Sequence, residues 1–198
     1  MVRSYPALAS HPLRSGVSFH HPNSTMQQRV TLESPAVEAM TDLIRVSAES
    51  IGPDASIEDA NSVMIKRGIR LLFVIDTDKR ILGIITAADI LGEKPMQYIG
   101  AHGGKHGELR VADIMTPQDR LDVLRMDDVY HACVGHIVTS LKLAGRQHAL
   151  VADTNPSGVD QTIRGIFSMS QIARQLGINI ETTEIARTFA EIETMLIR

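Results

Sequence analysis

The sequence predicts an α+β fold, shading into α/β, built from two tandem copies of one unit and closed by a C-terminal helix. Three observations predict it. The first is internal repetition: "PAVEAMTD" (35–42) returns as "RVADIMTP" (110–117). In the same way "SIEDANSVMIKRGIRLLFVID" (56–76) returns as "DVYHACVGHIVTSLKLAGRQHALVAD" (128–153), and "RILGIITAADILG" (80–92) as "TIRGIFSMSQIARQLG" (162–177). The second is a pair of short apolar runs, Leu71–Ile75 and Ile81–Ile85, joined by the turn-forming "DTDKR". The third is apolar residues at helical spacing before and after those strands.

Each unit is read in the same order. A short helix ending in Met-Thr leads into a brief strand near Ile51, or near Val123 in the second copy. A helix follows with an apolar stripe of Ile57, Ala60, Val63 and Met64, started by Ser56 and Asp59 and stopped by Gly68. In the second copy the stripe is Val129, Ala132, Cys133, His136, Ile137 and Leu141. There the helix carries extra residues and stops at Gly145. The two strands come next, then a short helix after Thr86. A unit this small buries too little surface to stand comfortably alone, so the two are expected to share a core, sheet against sheet. The divisions are a flexible tail at 1–33, unit one at 34–98, a Gly/His-rich linker at 99–109, unit two at 110–177 and an amphipathic helix at 178–198. In that last segment Ile185, Phe189, Ile192 and Leu196 form a stripe, with Thr182 or Thr183 as cap and Glu181 and Glu184 in the first turn.

Composition excludes several classes. A formal net charge of −3 argues against a dedicated nucleic-acid binder. No apolar run approaches the roughly 18 residues that span a bilayer. The single cysteine, Cys133, rules out an internal disulfide framework and fits a reducing compartment, so a cytoplasmic location is expected. The acid-free N-terminus lacks the apolar core of a secretory signal.

The stretch with the most chemistry is "GIITAADIL" (83–91), a buried strand running straight into Thr-Ala-Ala-Asp. Thr86 and Asp89 stand three apart, the spacing of a helix capping box. They also suit a ribose phosphate: a carboxylate accepts hydrogen bonds from both hydroxyls of a cis-diol, and a hydroxyl at a helix N-terminus suits phosphate. Together "LLFVID", the turn and "GIITAADIL", in two copies in register, resemble the CBS domain, the module named after cystathionine β-synthase, in its tandem form (a Bateman module). The resemblance covers roughly residues 34–177.

That resemblance implies a pseudo-twofold pair of units whose clefts hold AMP, ADP, ATP or S-adenosylmethionine. The family's Gly-apolar-apolar-Thr/Ser-x-x-Asp motif falls on Gly83, Thr86 and Asp89. The adenine is expected between apolar side chains near Ile51 and Ile69. Arg70 stands where family members place a phosphate-contacting cation, although a solvated surface arginine would look the same. The second cleft departs from the motif, with Ser168 for Thr86 and Gln171 for Asp89. Ser-x-x-Gln is a complete capping box in itself, and a neutral amide is a poorer double acceptor for a diol. Arg146 and His148 leave an anion role open there.

"HACVGH" tempts a metal reading, but His131 and Cys133 would point to nearly opposite sides of a helix. The expectation is a core His136 and no metal site. "GAHGGKHGE" (100–108) lacks the Gly-Lys-Ser/Thr ending of a phosphate loop. No nucleophile elbow or paired catalytic carboxylates appear, so no enzyme is expected. The reading is a regulatory module that binds an adenine nucleotide or S-adenosylmethionine and signals by a change of shape. The alternative is a CBS-pair scaffold with no working nucleotide site. No cofactor is expected beyond that ligand, which Mg²⁺ can accompany. The expected partners are an unidentified effector protein and a second copy of the chain, since CBS pairs commonly form homodimers. Neither nucleic acid nor membrane is expected.

Overall fold

The computed structural model describes residues 29–154 and 161–178. The helix expected from 178 to 198 and most of the expected tail lie outside the described residues.

A 3₁₀ turn at Ala36–Ala39 leads into strand β1 (Thr41–Asp42). The first unit continues with β2 (Ser50–Ile51), helix α1 (Ile57–Arg67), β3 (Leu71–Ile75), β4 (Ile81–Thr86), α2 (Ala87–Leu91) and α3 (Lys94–His102). The second begins with α4 (Val111–Ile114) and β5 (Thr116–Pro117). It continues with β6 (Val123–Arg125), α5 (Met126–Tyr130), α6 (Val134–Ala144), β7 (His148–Thr154), β8 (Gln161–Ser168) and α7 (Met169–Gln175). Local chemistry explains the long helices. The Ser56 hydroxyl accepts the Asp59 N–H at 3.0 Å to start α1. Gly68 (φ 66°) and Gly145 (φ 61°) end α1 and α6 in the left-handed conformation that glycine adopts without strain.

The strands form two four-stranded sheets, ordered β2-β3-β4-β5 and β1-β8-β7-β6. Each sheet is completed by a strand from the other unit's lead-in. β1 pairs with β8 (Thr41 opposite Ile166), and β5 pairs with β4 (Thr116 opposite Ile84). The lead-in helices cross with their strands. Ala36, Ala39 and Met40 pack into the core of the second unit, whereas Val111 and Ile114 pack into that of the first. Each unit therefore has the expected element order, but its opening segment belongs in space to the neighbour. Alternation along β3 sends Leu72 and Val74 toward the helices and Leu71 and Phe73 toward the second sheet. Leu71, Phe73 and Leu150 centre the apolar layer between the sheets, the shared core that the small units require.

Four local expectations are corrected. The long second-copy helix is broken: α5 ends at Tyr130, and α6 starts only after Cys133, so the additional residues form a separate short helix. His136 is not a core histidine but an exposed one, and its Nδ1 accepts the Cys133 N–H at 3.1 Å. Packing also begins earlier than the end of the expected tail. Val30 is buried and donates its N–H to the Gln175 carbonyl at 3.1 Å, and the Leu32 carbonyl accepts the Gly135 N–H at 2.8 Å. At the other boundary, α3 runs on to His102, into the stretch read as linker.

The crossed strands sit close. A Cβ at Gly83 would collide with the Thr116 carbonyl, whereas one at the matching Gly165 would meet only the flexible end of Met40. Backbone cannot yield as a methionine can. Gly83→Ala should cost about 1–3 kcal/mol by urea unfolding, the usual range for overpacking, and Gly165→Ala distinctly less. Equal losses would mean that β5 moves aside freely.

Candidate functional site

β4 stays extended through Thr86 (φ −118°, ψ 161°), and α2 begins at the next residue. Thr86 and Asp89 form the capping box. The Asp89 N–H donates to Thr86 Oγ1 at 3.2 Å. Asp89 Oδ2 accepts both the Thr86 N–H at 2.8 Å and the Thr86 hydroxyl at 2.7 Å. The other carboxylate oxygen, Oδ1, lies 2.6 Å from Lys94 Nζ. That ammonium also donates to the Ile114 carbonyl at 3.2 Å and to Thr116 Oγ1 at 3.3 Å, both in the second unit's lead-in. The Asp89 side chain is 12% exposed and that of Lys94 42%.

Arg70 stands at the same corner. Its carbonyl accepts the Ala87 N–H at 3.0 Å, because Leu71 opposes Thr86 in the β3–β4 ladder. Its side chain is exposed and makes no ion pair among the described residues. His148, at the start of β7, comes to this corner from the second sheet. Burial and the Arg70 charge push its imidazole down from 6.5 to about 4, with Asp89 pulling weakly the other way. It is therefore neutral at physiological pH. The sequence grouped His148 with the second cleft, whereas in the structure the charges of Arg70 and Asp89, from the first unit, act on it.

The remaining expected residues are placed differently. Gly83 opposes Val74 and Pro117, and its role is the close approach of β5. Ile51 and Ile69 are half-buried against the first helical core. In the second copy the expected capping box does not form. The Ser168 hydroxyl lies 3.0 Å from that of Ser170, and Gln171 Oε1 accepts the Thr41 hydroxyl at 3.1 Å. The guanidinium of Arg146 pairs with Asp122 at 2.7 Å. Sequence reasoning missed Lys94, Thr116 and Thr41. The repeated Met-Thr of the two lead-ins was the available signal, since Thr41 and Thr116 reach the corresponding positions of opposite units. Among the described residues, no group of three His, Cys, Asp or Glu side chains could hold a metal ion. None of the described helices is long and apolar enough to cross a membrane.

Two repeated α+β units, packed sheet on sheet with a polar corner where they meet, define the class of protein. Residues 37–95 match the model of the CBS domain, and the second half of the chain repeats the same arrangement of strands and helices. Among solved structures, an uncharacterised conserved protein from Pyrococcus horikoshii is similar over 78% of this chain and 100% of its own. The identity is 21% and the TM-score 0.53. A CBS-domain-containing protein from Agrobacterium tumefaciens is similar over 67% of this chain and 88% of its own, at 20% identity and a TM-score of 0.49. CBSX2, in a structure solved in complex with AMP, is similar over 71% of this chain and 94% of its own, at 20% identity and a TM-score of 0.47. At 21% identity and a TM-score above 0.5, the likeness to the Pyrococcus horikoshii protein is one of fold.

Proposed function

We propose that the chain is a non-catalytic regulatory module that binds an adenosine-containing ligand, from AMP, ADP, ATP and S-adenosylmethionine. The ligand sits at the Thr86–Asp89 corner, and its arrival is passed to a partner protein as a change of shape. One observation carries this reading. The first copy's Asp89 and Arg70 lie near enough to the second copy's His148 for both charges to act on its imidazole. A carboxylate there suits a ribose diol, and an arginine without an ion-pair partner among the described residues suits a phosphate or carboxylate. A neutral imidazole can donate or accept a hydrogen bond without repelling either group. A ligand held by both units acts on their relative placement, which is the differential contact that a switch requires.

A second reading, a scaffold without a working nucleotide site, is favoured by one specific contact. The Thr41–Gln171 hydrogen bond closes the corresponding corner of the other unit with no charge at all, so the fold does not need a carboxylate there. Thermal unfolding of the full chain with each candidate ligand separates the two. At a hundredfold excess over its dissociation constant, a bound ligand should stabilise the fold by about 2.7 kcal/mol. Asp89→Asn should weaken binding and keep the fold, because Thr86 still caps α2 and the asparagine amide oxygen can still accept the Thr86 N–H. A chain whose melting none of the four ligands moves is a scaffold.

A further inference from the structure

Counting lone pairs at Asp89 exposes a conflict. A carboxylate offers about four acceptor positions. The Thr86 N–H and hydroxyl take two on Oδ2, and Lys94 takes one on Oδ1. A cis-diol brings two donors to a single open position, so it cannot be held by both hydroxyls while Lys94 stays. The Thr86 bonds belong to the helix cap. Lys94 is the partner that can leave, because its side chain is far more exposed than that of Asp89 and its ammonium can reach water. Its three protons are all placed, on Asp89 Oδ1, the Ile114 carbonyl and Thr116 Oγ1. The contact therefore ties α2 of the first unit to the lead-in of the second. The second copy has no counterpart: Gln171 stands for Asp89, and Leu176, at the matching offset, stands for Lys94.

We propose that Lys94 is an internal competitor for the ribose seat and the trigger of the response. Resting on the ligand reading above, the ribose diol displaces the ammonium from Asp89. The displaced lysine also releases Ile114 and Thr116, which loosens β5, the strand that the second unit lends to the first. Occupancy of the corner is thereby linked to the crossed strand.

The test is calorimetric titration of the full chain with adenosine, which has the diol and no phosphate for the lysine to attract, and with 2′-deoxyadenosine. Lys94→Met should bind adenosine about twofold to fivefold more tightly than the parent chain, the gain from removing a partly exposed ion pair. It should bind 2′-deoxyadenosine no better than the parent does. Lys94→Gln, which keeps a polar head, serves if the methionine variant does not fold. In the parent chain adenosine should speed hydrogen exchange at the amides of residues 114–116, and in Lys94→Met that exchange should be fast before any ligand is added. Equal or weaker adenosine binding by both lysine variants would overturn the competitor role while leaving the site reading intact. So would an equal gain for the deoxy compound. Adenosine that binds and slows exchange at 114–116 would overturn the trigger. If neither adenosine nor AMP binds the parent or either variant, the ligand reading fails and the competitor role falls with it.

Discussion

Phe73→Ala should lower the unfolding free energy by about 3–5 kcal/mol, the range for truncating a buried phenylalanine. Phe73 is 4% exposed and lies with Leu71 and Leu150 in the layer between the two sheets. Among the described residues its neighbours in that layer are all aliphatic, so no second ring stands ready to swing into the gap. Strands on either side are held in ladder register and cannot close the cavity without shifting a whole sheet. Urea unfolding followed by circular dichroism measures the loss. A loss below about 1 kcal/mol would show that the layer repacks, as only loosely fitted cores do. The same substitution should weaken ligand binding as well, because the residues of the proposed site come from both sheets.

His148→Leu should remove part of the acid sensitivity of the fold. The folded-state value of His148 is depressed from 6.5 to about 4. Between those values the unfolded chain binds a proton that the folded chain does not. The stabilising contribution of the neutral imidazole is therefore complete above about pH 6.5 and is lost as the pH falls toward about 4. One pKa unit is worth about 1.4 kcal/mol, so the parent chain should lose about 2.5 kcal/mol to this group by a pH of about 4.5. Leucine is the residue that the repeat itself places at the matching position, Leu71, and it carries no proton. The stability difference between variant and parent, measured near pH 7 and again near pH 4.5, should widen in favour of the variant. Parallel pH profiles would show that His148 charges freely in the folded protein.

What the sequence made legible was local. The Thr86–Asp89 capping box, the Ser56 start and the Gly68 stop each depend on residues within one turn, and each stands where the spacing put it. What it concealed depends on distant partners. Ser168 and Gln171 have the spacing of a cap, but Thr41 claims the glutamine from 130 residues away, and that tertiary bond prevails. The two residues of β1, or of β5, are too few to display a period, so nothing in them announces which sheet they complete. Ala132 and Cys133 continued an apolar pattern across what is a break, because pattern alone does not register a turn filled by docking. There the Ala132 carbonyl accepts the Ala36 N–H at 2.9 Å. Lys94 escaped notice because two of its three acceptors, the Ile114 carbonyl and Thr116 Oγ1, lie 20 and 22 residues further along the chain. The same distinction explains why the site was half visible: its capping pair is sequential, and its charged surroundings are not.

The crossed strands also set an order of events for a chain being made. β1 leaves the ribosome early, yet its hydrogen-bonding partner β8 follows well over a hundred residues later, and the Ala36–Ala39 turn has no core to enter until α6 and α7 exist. The first sheet waits in turn for β5. Contacts of such long sequence separation close slowly, because loop entropy is lost before they repay it. The nascent first unit must therefore expose the edge of β4, with its apolar Ile81, Leu82, Ile84 and Ile85, until the second unit's lead-in emerges. An unpaired edge of that composition is a place for aggregation to begin. Interrupting synthesis between the units should leave an insoluble half, and supplying residues 105–120 in trans should rescue it.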